Sequence, residues 1–249
     1  MLSVIVITKN ESRDIARCLA SVAWADEIIV LDSGSTDDTV SICQRFTSQV
    51  FVTDWPGFGL QKQRALERAS GDWVLSLDAD EEVPPALKQE IQQAMLRSAA
   101  QGFEIPRLSS YCGHQMKHSG WWPDHVLRLF RRDAGRFTDD VVHERVVVAG
   151  RVQRLRNAIL HESYVDLNEV LDKVNSYSAL GAKKLFEQGK RASLGLAIGK
   201  GVWTFFRTYV LRAGFLDGAQ GLMLAISNAE ASYYKYLKLR DLYRTHEPT

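Results

Sequence analysis

The stretch VLSLDADEE, residues 74–82, drives an apolar run straight into Asp78, Asp80, Glu81 and Glu82. Like charges at that spacing repel, and a chain relieves the cost either with a cation or with a solvated loop. Two carboxylates in a D-x-D pattern at a strand end can both face one divalent ion. A hard ion such as Mg2+ takes oxygen ligands, one or two from protein carboxylates and others from substrate phosphates. The chemistry that such a site serves is neutralisation of a leaving diphosphate. The competing explanation is a solvated turn before a helix, because Pro84 and Pro85 precede a helical stretch and acids there suit its dipole. On the acids alone the two explanations stand level.

The elements around the acids weigh on that choice. Residues 2–8, 26–32, 49–55 and 72–78 read as strands, the first a β-branched apolar run of the kind buried on both faces. Helical spacing fills the gaps, over 11–22, 39–46 and 59–71, the last closed by Gly71. Strand and helix alternating at short spacing imply a parallel sheet with right-handed crossovers. In such sheets ligands bind at the carboxyl ends of the strands, so Thr8, Asp32, Asp54 and Asp78 are expected on one rim. After Pro85 a helix is expected to about residue 100. Residues 102–148 alternate like antiparallel strands rich in aromatic and basic side chains, and from 168 to near 243 the pattern is helical.

Composition bounds the class. The 249 residues, 45% hydrophobic and 24% charged, describe a globular chain, and a net charge of +1 gives no bulk attraction to nucleic acid. From Lys183 onward there are 11 basic and 5 acidic residues, a basic segment on a mildly acidic body. Cys18, Cys43 and Cys112 form neither a disulfide framework nor a zinc spacing, which points to reduced thiols and the cytoplasm. The N-terminal residues lack the basic region of a signal peptide.

Four pieces, VIVITKNES, IIVLDSGSTDDT, GLQKQRALERASGDW and LSLDADE, occur in an order and spacing that resemble the nucleotide-sugar half of a family 2 glycosyltransferase with the GT-A fold. The fold that this implies is α/β: a Rossmann-like nucleotide-binding half with a mixed sheet, plus a helical, partly amphipathic C-terminal region. The catalytic domain would be 1–165, with a nucleotide-sugar half at 1–82 and an acceptor half at 102–150, and the helical region would be 166–249. The resemblance assigns Thr8, Asn10 and Glu11 to the border of the nucleoside and Asp32 to its base or ribose. It puts Lys62 near the base or diphosphate, Asp78 at the ribose and metal, and Asp80 on the metal, Mg2+ or Mn2+. Ser33 stands where many relatives carry a second acid, which weakens any assignment at that position. Each residue also has a plainer reading: Asn10, Asp37 and Asp38 as helix caps, Lys62 as a surface charge.

Further along, GWWPDHVLRLFRR (120–132) and VVHERV (141–146) resemble the subgroup that contains lipopolysaccharide inner-core β-glucosyltransferases. An inverting displacement needs a base for the acceptor hydroxyl, and the candidates are Glu144, with His143 to orient it, and Asp124. Trp121 and Trp122 are candidates for a sugar-stacking floor or for core. Arg128 and Arg131 are candidates for phosphate contact. His161 would complete the metal or diphosphate site, or else is a satisfied core histidine.

Residues 194–216 are apolar and aromatic but broken by Lys200, Arg207 and Arg212, the pattern of a helix lying in a membrane interface or of a helix packed on protein. The expectation is a cytoplasmic enzyme, peripheral on the inner membrane face, moving a hexose from a UDP-sugar, UDP-glucose foremost, to a lipopolysaccharide heptose or another lipid-linked glycan. Two rivals remain at this point. One is a phosphatase of the haloacid-dehalogenase type, whose D-x-D loop the acids resemble superficially. The other is a non-catalytic membrane-surface module.

Overall fold

The computed structural model describes residues 1–138 and 145–246. Strand β1 (Leu2–Thr8) is buried at all seven positions. It pairs in parallel with β2 (Glu27–Asp32) on one side and β4 (Trp73–Asp78) on the other, and β3 (Val50–Val52) lies beyond β2. Alternation divides these strands between two cores. Val4, Val6, Val30, Leu75 and Leu77 meet Ile15 and Leu19 of α1 (Ile15–Ser21) and Leu87 and Ile91 of α4 (Pro85–Arg97). Ile5, Ile7, Ile29, Leu31 and Val74 meet Ala65 and Leu66 of α3 (Phe58–Arg68). Each such aliphatic side chain contributes about 1.5–3 kcal/mol on burial, so covering both faces of the sheet requires near-continuous apolar runs.

Beyond β4 the pairing turns antiparallel, except for one short strand. Strand β8 (Asp124–Arg131) pairs with β4 and with β6 (Gly102–Tyr111). The order continues through β12 (Ile159–Tyr164) to β5 (Glu81–Glu82), giving β3-β2-β1-β4-β8-β6-β12-β5. Short strands β7 (His114–Gln115) and β11 (Val152–Arg154) attach to β6, β11 lying parallel to it, and β9 (Gly135–Phe137) pairs with β10 (Val146–Val148). The mixed α/β sheet is the one expected.

Several boundaries differ from the sequence reading. Helix α2 is only Thr39–Cys43, and α3 stops at Arg68 with Ala69 already extended. Gly71 is therefore not a cap. A Cβ there would lie 2.8 Å from the Ser3 hydroxyl oxygen and 2.9 Å from the Met1 carbonyl, so glycine is required by the close approach to the start of β1.

By internal contacts the chain forms two compact units, Met1–Arg107 with Asp124–His161, and Leu108–Pro123 with Glu162–Thr249. Residues 108–123, which the sequence reading grouped with the acceptor half, belong to the second unit. That unit contains α5 (Leu167–Glu187), α6 (Leu194–Phe206) and α7 (Gly218–His246). Its helical stretch is interrupted rather than continuous. Gly189, at φ +69°, follows α5, and a π turn (Arg207–Leu211) and a 3-10 turn (Gly214–Asp217) follow α6. Asp166 and Ser193 cap α5 and α6 by accepting from the Glu169 and Leu196 N–H groups. Among the described residues no helix is long and apolar enough to cross a membrane.

Candidate active site

The acid run is a strand, a tight turn and a second short strand. β4 ends at Asp78, Ala79 and Asp80 turn, and β5 begins at Glu81. β5 pairs antiparallel with β12, opposing His161 to Glu81. That pairing brings His161 Nε2 to 3.3 Å from Asp80 Oδ2. Asp80 and His161 line a cavity of about 360 Å³ together with Thr8, Lys9, Glu11, Trp55, Phe58 and Asp78. Thr8 is 4% exposed and its hydroxyl oxygen is buried without a hydrogen-bond partner. Trp55 and Phe58 meet edge to face at 4.7 Å while staying half exposed.

Asp78 stands where this cavity adjoins a second cleft of about 530 Å³, lined also by Lys62, Arg107, His125 and Arg128. Lys62 Nζ of α3 is 2.9 Å from Asp78 Oδ1, and Arg128 Nη2 of β8 donates to Asp78 Oδ2 and to Glu81 Oε1. Glu81 is fully buried and also accepts from the Asp78 N–H at 3.0 Å. Burial pushes the Asp78 carboxyl up, but the Arg128 and Lys62 charges outweigh it and hold the group well below the usual carboxylate range. Burial dominates at Glu81 and raises its pKa, partly offset by Arg128 and reinforced by Asp78. The Arg128 guanidinium, despite burial, is held charged by Asp78 and Glu81. Glu81 is thus a structural member of the site and not an acid of a solvated turn before the helix.

The remaining candidates are placed as follows. Asp32 is fully buried; its Oδ2 accepts from the Gly34 and Ser35 N–H groups at 2.9 and 2.8 Å, and the Ser35 hydroxyl donates to Oδ1. Asn10, at φ +56°, takes Ser35 Oγ at its N–H and accepts from the Thr36 N–H at 2.8 Å. The Glu11 N–H donates to Thr39 and the Ser12 N–H to Asp37, so the loops after β1 and β2 are laced together. Asp124 is clamped by Arg107, whose Nε and Nη2 donate to Oδ2 at 3.0 and 2.7 Å. Arg131 lies over the Trp73 ring at 4.4 Å, on the strand face opposite Arg128. In the second unit Trp121 stacks on Tyr164 and meets Tyr111 edge-on, each at 6.0 Å, within an apolar cluster; Trp122 is half-buried. His143 and Glu144 lie outside the described residues.

Lys9, Trp55, Phe58, Glu81 and Arg107 were not among the sequence candidates. Trp55 carried a usable signal, an aromatic in DWPGFG directly after the third strand, on the rim where ligands bind.

Among the described residues no three carboxylate, imidazole or thiolate groups gather as a metal cluster. Asp80 and His161 nevertheless offer one oxygen and one nitrogen donor close together. That set fits an ion whose other positions are filled by diphosphate oxygens and water, and the imidazole suits Mn2+ better than Mg2+.

A parallel half-sheet with ligand-facing groups at its strand ends, extended by an antiparallel half, is the architecture of a GT-A enzyme. The family model described as glycosyl transferase family 2 matches residues 3–147. An uncharacterized glycosyltransferase of Rickettsia prowazekii is 33% identical over 97% of this chain and 87% of its own length. The lipopolysaccharide core biosynthesis glycosyltransferase LpsC of Rhizobium meliloti is 31% identical over 98% of this chain and 93% of its own. Among solved structures, Staphylococcus aureus TarS 1-349 in complex with UDP aligns with a TM-score of 0.50 over 99% of this chain and 92% of that one, at 16% identity, a likeness of fold. The chain belongs to glycosyl transferase family 2 and is a glycosyltransferase by class. The phosphatase and binding-module readings fall with that membership.

Proposed function

We propose that this enzyme transfers a hexose, glucose foremost, from a UDP-sugar to a lipopolysaccharide inner-core heptose, with inversion in a single displacement. The observation that carries the reading is the Asp80–His161 pair on the wall of a cavity shared with Thr8, Glu11 and Asp78. LpsC, named for lipopolysaccharide core biosynthesis, supports the acceptor class. Asp80 and His161 would hold Mg2+ or Mn2+, which when bound offsets the charge developing on the leaving diphosphate. Asp78, kept ionised by Lys62 and Arg128, presents a fixed acceptor for donor hydroxyls. Trp55 and Phe58 offer apolar surface to the base. Glu144 is the proposed general base. The two-bond clamp of Arg107 on Asp124 favours that choice, because it fixes Asp124 as a positioning group.

A panel of nucleotide sugars, titrated with and without Mn2+ and then offered truncated lipopolysaccharide cores, tests the reading. UDP-glucose is expected to bind best and to be transferred only with metal present. Asp80→Ala should abolish transfer while the protein stays folded, and Glu144→Gln should keep donor binding but lose turnover. Tighter binding of a guanosine or adenosine donor would overturn the donor assignment. Full activity of Asp80→Ala in chelator would overturn the metal role, and an unchanged rate for Glu144→Gln would move the base to Asp124.

A further inference from the structure

The second unit carries a further cleft, lined in part by Trp121 and by none of the residues that line the Asp80–His161 cavity. Its volume is about 520 Å³, and α5, the end of α6, the π turn and α7 wall it with the loop around Gly120. Arg207, Arg212 and Lys235 line it, and no Asp or Glu does. Among the described residues Asp217 pairs with His118 and Glu169 with Lys173, and no carboxylate is paired with these three cations. Three like charges around one concavity are unfavourable without an anion to offset them.

Neutral polar groups complete the lining: Ser119, Tyr177 and Asn228, with Thr204 and Ser232, whose hydroxyls donate to the Lys200 carbonyl. Ser119 is 1% exposed, and its hydroxyl oxygen is buried with no hydrogen-bond partner. Its N–H is fixed to the Arg212 carbonyl at 2.8 Å, and Ser119 and Gly120 both hold left-handed backbone, at φ +60° and +81°. Glycine suits position 120 because of its φ of +81°, and a Cβ there would come within 2.5 Å of the Arg212 guanidinium, so the arginine lies directly on the loop. Arg207 opens the π turn, an irregularity that recurs at functional sites. Gly181 lets the Lys235 stem pass over α5.

We propose that this cleft is a phosphate-binding site. Two planar guanidinium groups, an ammonium and an unpartnered buried hydroxyl match the several acceptor oxygens of a phosphate ester better than the two of a carboxylate. The phosphate belongs to a soluble phosphorylated saccharide or to a lipid headgroup; the recognition chemistry is shared.

Calorimetric titration of the full chain with inorganic phosphate, at constant ionic strength, reads the first source. Co-sedimentation with phosphatidylcholine vesicles, with and without phosphatidylglycerol, reads the second. No sugar donor is present, so the outcome is independent of the transfer reading. The double variant Arg207→Gln/Arg212→Gln should weaken binding at least about tenfold, in keeping with the loss of charge-assisted hydrogen bonds. Lys183→Gln, which removes one exposed charge outside the cleft, should leave it unchanged. Ser119→Ala should weaken phosphate binding by a smaller factor. If the double variant does not fold, a rise in Tm of the native protein in phosphate but not in chloride, lost in Lys235→Gln, carries the same test. Loss of phosphate binding in the cleft variants assigns a soluble ester, and loss confined to anionic vesicles assigns a headgroup. Absence of binding to both probes, or equal binding by the cleft variants and Lys183→Gln, would overturn the proposal.

Discussion

Arg128 is the residue on which the site's electrostatics turn. It is 7% exposed and reaches two carboxylates, one of them fully buried. Removing one partner of a buried ion pair leaves an uncompensated charge, so Arg128→Met should lower stability by about 3–5 kcal/mol, read as a shift of the urea midpoint. A shift within error would mean that Glu81 is relieved by another group. The two acids respond to pH in opposite senses. The fold holds Asp78 ionised, so in the range where an unfolded aspartate takes up its proton, near about 3.9, the unfolded chain binds more protons and stability falls as pH falls. Burial raises Glu81, so its contribution runs the other way, stability rising as pH falls toward the range where an unfolded glutamate takes up its proton, near about 4.3. Stability should therefore peak in the mildly acidic range and then decline. In Asp78→Asn the acid decline should shrink, measured by denaturation midpoints across pH; an unchanged acid limb would assign it to other carboxylates.

At the scale of elements, the lacing of the β1 and β2 loops converts two strand ends into one surface. Asn10 contributes in two ways, by accepting from Thr36 and by occupying a left-handed backbone that asparagine tolerates. Asn10→Ala should cost about 1–2 kcal/mol from strain and the lost hydrogen bond. Asn10→Gly removes the strain alone, so the part of the loss that persists in the glycine variant measures the clasp, and donor affinity should fall with it. Equal stability of all three proteins would leave the lacing without energetic weight. These ends were readable because parallel strands covered on both faces appear as apolar runs that stop at polar residues, as at Thr8 and Asp78. Glu81 was not readable, because in sequence it looks like Glu82; pairing with β12 and the reach of Arg128 bury it, and both are non-local. Arg128 and Arg131 looked alike in RLFRR. Their odd spacing on a strand sends one to Asp78 and the other onto Trp73, a consequence of period-two alternation that the sequence contained once β8 was known to be a strand. Gly71 looked like a helix stop and instead makes room for Ser3, a contact between residues 68 positions apart.

On the scale of the whole molecule, the polar and apolar surfaces are distributed unevenly. Residues from Lys183 onward carry most of the basic excess, and the same region exposes its large apolar side chains. Val202, Trp203, Phe206 and Val210 are 64, 52, 43 and 45% exposed, whereas the buried positions of α6 are the small Ala197 and Gly201. A helix that hides its small residues and shows its aromatic ones is inverted relative to a water-facing helix. Exposed apolar patches of this kind mark interaction surfaces, and the nearby Lys200, which does not line the cleft, would favour an anionic one. We propose that this face makes peripheral contact with a membrane surface, which would suit the lipid-carried acceptor of the proposed function. Binding to anionic vesicles should then shift tryptophan emission to the blue, and Trp203→Glu/Phe206→Glu should weaken partitioning by one to two orders of magnitude, roughly the loss of two buried aromatic side chains and the addition of two like-charged groups. Transfer to a soluble, delipidated acceptor should be unaffected, because neither residue lines the Asp80–His161 cavity. Undiminished vesicle binding by the double glutamate variant would instead assign this face to another protein surface, and sedimentation of the native chain as a dimer that the same variant dissolves would identify that surface as a second copy.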